Sequence, residues 1–171
     1  SFTPMCERLG PIKTIEFLNL YFDRMIDILH ANNAIIDKLI GDAIVSRFDS
    51  GNINTDALNS VKAAWNMLRA LDEFNKLAVE KINIRIGVNS GKVILGNLGS
   101  KNYRLDYTMI GDNVNVTQRL ESQAPRQGCL ISQPTYELVK ENVIVGEMQA
   151  LQVKGKKEIV NAYVLLGLKY V

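Results

Sequence analysis

Histidine is almost missing from this chain, and most acid–base or metal chemistry built on imidazole goes with it. The single one, His30, closes an amphipathic segment, where it reads as a cation at a helix C-terminus rather than a catalytic base. No GxSxG, HExxH or Walker lysine pattern occurs, so nucleophilic triads, zinc hydrolases and P-loop chemistry drop out and any catalysis must be metal-assisted. Cysteine is equally scarce. Cys6 and Cys129 belong to no CxxC pair, which predicts free thiols, a reducing cytoplasmic setting and no cysteine–metal site. The chain lacks a run of eighteen apolar residues and a signal-peptide pattern, so any membrane attachment is expected to come from segments outside it. It also lacks a charge of one sign: 20 basic and 18 acidic side chains are interspersed and leave a net charge of +2. That balance gives no footprint for nucleic acid or anionic lipid, and an anionic substrate must be held locally.

What is present is an ordinary globular composition, 47% hydrophobic and 22% charged, and the 171 residues are expected to form one domain, 1–171. Because the first residue is Ser rather than Met, the chain is expected to be a piece of a longer protein. Ile15, Leu18, Phe22, Met25, Ile26 and Leu29 recur at helical spacing and predict a helix ending near Asn32-Asn33. Apolar runs flanking Gly41-Asp42 predict a hairpin. Thr55 is the expected cap of a second helix with its stripe through Leu58, Val61, Trp65, Leu68 and Leu71. Alternation through Ile82, Ile84, Ile86 and Val88, then Asn89-Ser90-Gly91 and Val93-Ile94-Leu95, predicts a second hairpin. A third helix from Asp112 to Gln123, a strand at Cys129–Ile131, a helix at Pro134–Lys140 and two strands around Gly155 complete the pattern. This order predicts an α+β, ferredoxin-like sandwich: a mostly antiparallel sheet with helices on one face and an opening strand missing.

Three places carry candidate chemistry. Asp42 stands at the tip of a buried hairpin, where a carboxylate can hold a divalent metal, and Lys38 lies four residues earlier, where an ammonium can meet a base or a phosphate. Asn115 and Arg119, spaced i, i+4, project from one side of the third helix and can together bind an anionic oxygen. Val153-Lys154-Gly155-Lys156-Lys157 is a basic turn suited to a polyphosphate. Each also has a plain structural reading as a turn residue or a solvated face.

Taken together, Asp37-Lys38-Leu39-Ile40-Gly41-Asp42-Ala43-Ile44, Arg85-Ile86-Gly87-Val88-Asn89-Ser90-Gly91, Asn97-Leu98-Gly99-Ser100, Asp106-Tyr107-Thr108-Met109-Ile110-Gly111-Asp112-Asn113-Val114-Asn115, Arg119-Leu120-Glu121 and Val153-Lys154-Gly155-Lys156 resemble the class III nucleotide cyclase catalytic domain, colinearly from Ser1 to about Leu165. The resemblance implies a palm-like ferredoxin core, a head-to-tail homodimer, and interfacial sites that turn ATP or GTP into a 3′,5′-cyclic monophosphate and pyrophosphate. It implies that Asp42 is one of two carboxylates holding two Mg²⁺ or Mn²⁺ ions; the other is expected three residues before Ser1, in a strand of which only Ser1-Phe2-Thr3 is present. Phe2 and Thr3 are then expected to offer backbone N–H groups to the phosphates, and Lys154, with Lys156 as second choice, to bind the triphosphate. Lys38 matches the purine-reading position and Thr108 its companion, a pair that points to ATP. Asn115 and Arg119 match the ribose-orienting and transition-state residues. The resemblance therefore implies an adenylate cyclase. A guanylate cyclase, which resembles this motif with Glu at position 38, and a catalytically silent nucleotide-sensing or dimerisation module are its rivals.

Overall fold

The computed structural model describes residues 7–77, 81–152 and 159–169. Pro11 opens helix α1 (Pro11–Ala31) at a position where its missing N–H and fixed φ suit a helix start. The helix ends in a Schellman arrangement: Asn33 takes φ +63° and donates to the His30 carbonyl (2.9 Å), while the Ala34 N–H reaches the Leu29 carbonyl (2.9 Å). Its inward face is Thr14, Tyr21, Met25 and Leu29, so Ile15, expected inside, lies on the outer side.

Strands β1 (Ile35–Ile40) and β2 (Ala43–Arg47) form the expected antiparallel hairpin. Only Gly41 of the two turn residues has a positive φ, +60°, the pattern of a type II′ turn, whose twist matches the flanking strands. Helix α2 (Ile53–Leu77) starts earlier than Thr55 because the Asn52 side chain caps it, accepting from the N–H groups of Asn54 (3.1 Å) and Thr55 (3.2 Å). The helix buries two stripes. Ala63, Met67 and Leu71 pack with α1 and the hairpin, and Ala57, Val61, Ala64 and Leu68 pack on the main sheet with Trp65 beside them.

Strand β3 (Arg85–Val88) does not turn back on β4 (Ile94–Ser100), contrary to the hairpin predicted there. It pairs instead in parallel with β6 (Gly128–Ser132), and β4 pairs with β5 (Arg104–Ile110) as a separate two-stranded arm. The reason is local. The Asn89 side chain donates to the backbone and side-chain oxygens of Asn113 (3.2 and 3.1 Å), which draws the segment after β3 over the start of helix α3 (Asp112–Gln123) rather than back along the strand. Helix α4 (Gln133–Val139) follows β6, capped by Ser132, and β7 (Val143–Gln152) and β8 (Ile159–Leu168) close the order β3-β6-β8-β7.

The sheet is thus antiparallel except for β3 with β6, within the α+β class that the pattern predicts. Helices occupy both of its faces rather than one. Along β6, Cys129 and Ile131 point to α2 and α4, while Leu130 points to Leu120 and Ala124 of α3, and all five β6 residues are buried. Such two-sided burial belongs to a central strand flanked by helices. Among the described residues no helix is long and apolar enough to cross a membrane.

Candidate active site

The hairpin and the arm meet at one carboxylate. The Asp37 side chain is only 1% exposed, and its Oδ2 accepts a hydrogen bond from the Thr108 hydroxyl of β5 (2.7 Å). Its Oδ1 accepts from the Met109 backbone N–H (3.3 Å), and the Lys38 ammonium (3.4 Å) and Arg47 guanidinium (3.6 Å) stand beside it. A buried carboxylate is tolerated only when so many donors surround it. Asp37 and Lys38 are sequence neighbours, whose side chains would normally face opposite sides of a strand. Here the register shifts between Ile36, opposite Ser46, and Lys38, opposite Val45. Asp37 is the extra residue of this bulge, and bulges re-aim side chains, so both charged groups lie on one side.

The structure therefore brings Lys38 and Thr108 together although 70 residues separate them in the sequence. It does so through Asp37, to which the sequence analysis assigns no role. The signal is the acid–base pair Asp37-Lys38 inside an otherwise apolar strand. Lys38 keeps 39% of its side chain exposed, whereas Thr108 is buried at 2%.

Asp42 lies at the exposed hairpin tip, and its charge reaches two neighbours. The Tyr21 hydroxyl is pushed up to about 12, first by burial and then by Asp42. The Glu121 carboxyl is raised above its ordinary range, mainly by burial and further by Asp42, against a lowering pull from Arg85. Among the described residues no three or more His, Cys, Asp or Glu side chains gather into a metal cluster. The hard oxygens of Asp42 fit a divalent ion such as Mg²⁺ or Mn²⁺ whose remaining ligands are other oxygens, as substrate phosphates provide.

Asn115 and Arg119 stand one turn apart on α3, Asn115 exposed and Arg119 half-buried. Their helix is seated by Gly87 of β3. A Cβ there would lie 2.5 Å from the Glu121 nitrogen and the Thr117 oxygen, so the absence of a side chain lets the helix backbone rest on the strand. Leu120, fully buried, fixes the rotation of α3 and keeps Asn115 and Arg119 off its inner face. Phe2, Thr3, Lys154 and Lys156 lie outside the described residues, as does Cys6. Cys129 is an inert core thiol, pushed up by complete burial.

Residues 1–167 match the family described as the adenylate and guanylate cyclase catalytic domain. The chain is 36% identical to an adenylate cyclase of Anabaena cylindrica over 95% of its own length and 34% of that protein. It is 33% identical to the terminal-differentiation-specific adenylate cyclase of Dictyostelium discoideum, over 95% of the chain but only 8% of that relative. Its fold superposes on the crystal structure of the guanylyl cyclase Cya2 with a TM-score of 0.90 at 33% identity, covering 98% of this chain and 87% of the other. The chain thus spans about a third or less of the curated relatives it matches. With that agreement of sequence and backbone, it belongs to the class III nucleotide cyclase catalytic domains.

Proposed function

We propose that this chain is the catalytic domain of an adenylate cyclase, converting ATP to 3′,5′-cyclic AMP and pyrophosphate. The carrying observation is the joint tether of Lys38 and Thr108 on Asp37, which sets an ammonium and a hydroxyl side by side. An ammonium donates to the unprotonated N1 of adenine and is opposed by N1–H of guanine, and the hydroxyl accepts from the adenine amino group. A donor facing a donor costs about 1–3 kcal/mol, or roughly tenfold to hundredfold in selectivity. Similarity to both adenylate and guanylyl cyclases makes GTP the competing substrate.

In this reading the ribose 3′-hydroxyl gives up its proton to water, its oxygen bonds to the α-phosphorus, the bond from that phosphorus to the pyrophosphate oxygen breaks, and pyrophosphate leaves. Asn115 orients the ribose, and Arg119 meets the negative charge that builds on the α-phosphate and leaving group. Asp42, with the carboxylate expected ahead of Ser1, would hold two divalent ions. When bound, such ions make a hydroxyl more acidic and neutralise phosphate charge. Lys154 and the Phe2 and Thr3 backbone would bind the triphosphate.

A homodimer belongs to the same reading, with each site shared between a hairpin of one copy and α3 of the other. The β4–β5 arm supports it, because Ile94, Leu98 and Ile110 on one of its faces and Leu105 and Tyr107 on the other leave apolar surface exposed on the lone chain. The test is turnover of ATP and GTP in Mn²⁺ by a protein that includes the residues ahead of Ser1. Cyclic AMP as the favoured product is expected, and a preference for GTP overturns the substrate assignment.

A further inference from the structure

A threonine hydroxyl by itself does not tell adenine from guanine at position 6, since it can accept from an amino group or donate to a carbonyl oxygen. In this chain that freedom is removed. The single Thr108 proton is directed at Asp37 Oδ2, 2.7 Å away, and the carboxylate has no hydrogen to give in return. Asp37 itself cannot swing aside. Its side chain is 1% exposed and pinned by the Met109 N–H at 3.3 Å, Lys38 at 3.4 Å and Arg47 at 3.6 Å. The bulge that admits Asp37 into β1 is what brings it within reach of β5.

We propose that Asp37 is the positioning residue that sets the sense of purine recognition, holding Thr108 as an acceptor only and Lys38 as the adjacent donor. This rests on the reading that Lys38 and Thr108 face the base. Asp37 touches no substrate in it. It acts through the two side chains it holds, and its carboxylate fixes which hydrogen-bond pattern the site displays: donor at N1, acceptor at position 6. Adenine complements that pattern and guanine clashes with it at both atoms.

The test is the ratio of kcat/KM for ATP to that for GTP in Asp37→Asn and Asp37→Glu proteins. The ratio does not depend on the fraction of protein that folds, so partial instability leaves it legible. Asn presents an amide that can donate to Thr108 and release its hydroxyl to donate outward, and the ATP preference is expected to fall about tenfold. Glu keeps an acceptor and is expected to retain most of the preference. In a Thr108→Val background, where there is no hydroxyl to direct, Asp37→Asn is expected to shift the ratio far less, as coupled residues do in a double-mutant cycle. Equal loss of both activities at an unchanged ratio, an Asn shift that persists undiminished in Thr108→Val, or a Glu protein as unselective as the Asn protein overturns the proposal. If the unaltered protein shows no preference for ATP, the substrate reading itself fails. An ATP preference that survives Asp37→Asn removes only the role given to Asp37.

Discussion

The central sheet and the site-bearing hairpins are held together by different forces. At β6 every side chain is buried, and apart from the Ser132 cap its main contacts are apolar on both faces: Ile131 against α2 and Leu130 against α3. At β1 and β5 the decisive contacts are charge and hydrogen bonds around Asp37, and apolar residues such as Leu39 and Leu105 remain exposed. Non-directional burial makes a scaffold that tolerates small shifts, whereas a carboxylate ringed by donors fixes the position of individual atoms. In the proposed reading, the chain keeps the second kind of bonding where a base is recognised.

The comparison can be broken hardest at the α3 pair. Arg119→Ala is expected to lower turnover about 10²- to 10³-fold, the usual loss for a donor aimed at developing charge, with little change in Tm. Asp42→Ala is expected to be comparably inactive. If the two halves of each site come from different copies, mixing these two inactive proteins restores cyclic AMP formation in one site of each heterodimer, measured by titrating one against the other; a mixture as inactive as its parts counts against shared sites. Next in size, Lys38→Glu with Thr108→Cys is expected to move the ATP:GTP ratio of kcat/KM toward GTP by roughly tenfold to hundredfold, at a cost in Tm because two of the donors around Asp37 are lost. An unchanged ratio would separate these residues from base recognition.

The opposite result sharpens the other side of the comparison. Ile131→Ala opens a cavity where β6 meets α2 and should cost about 2–5 kcal/mol in denaturant unfolding, with the ATP:GTP preference of the surviving protein unchanged. The smallest effect is expected at Glu121. Its carboxyl is raised in the folded state, chiefly by burial, so the folded chain holds that proton more tightly than the unfolded chain does. The resulting stabilisation is present below the ordinary Glu range and is lost as pH rises through the raised value. Glu121→Gln should therefore raise Tm slightly at pH 7, and the gain should vanish below about pH 4.

The elements legible in the sequence were those whose pattern is local. The Gly41-Asp42 hairpin and the span of α3 follow from neighbours in the chain. The strand partner of β3 did not, because alternation says which face is buried and nothing about which strand lies alongside. The helix caps turned on one amide: Asn52, rather than Thr55, accepts the free N–H groups. Among the proposed site residues, the resemblance to the cyclase family pointed to Lys38, Asp42, Thr108, Asn115 and Arg119. Asp37 escaped because its role needs a register shift in β1 and a partner on β5, and neither leaves a mark in a single sequence.

One further property follows from β3 and β6 being adjacent and parallel. Everything between them, the β4–β5 arm and α3 together, is a crossover that leaves the sheet at Val88 and re-enters it at Gly128, at the opposite end of the adjacent strand. Its reach can therefore vary at the Lys101-Asn102 tip without disturbing a single rung of the β3–β6 ladder. Under the proposed homodimer, lengthening or trimming that tip would retune how one copy engages another while the scaffold keeps its melting behaviour, a dial on assembly that is mechanically insulated from folding.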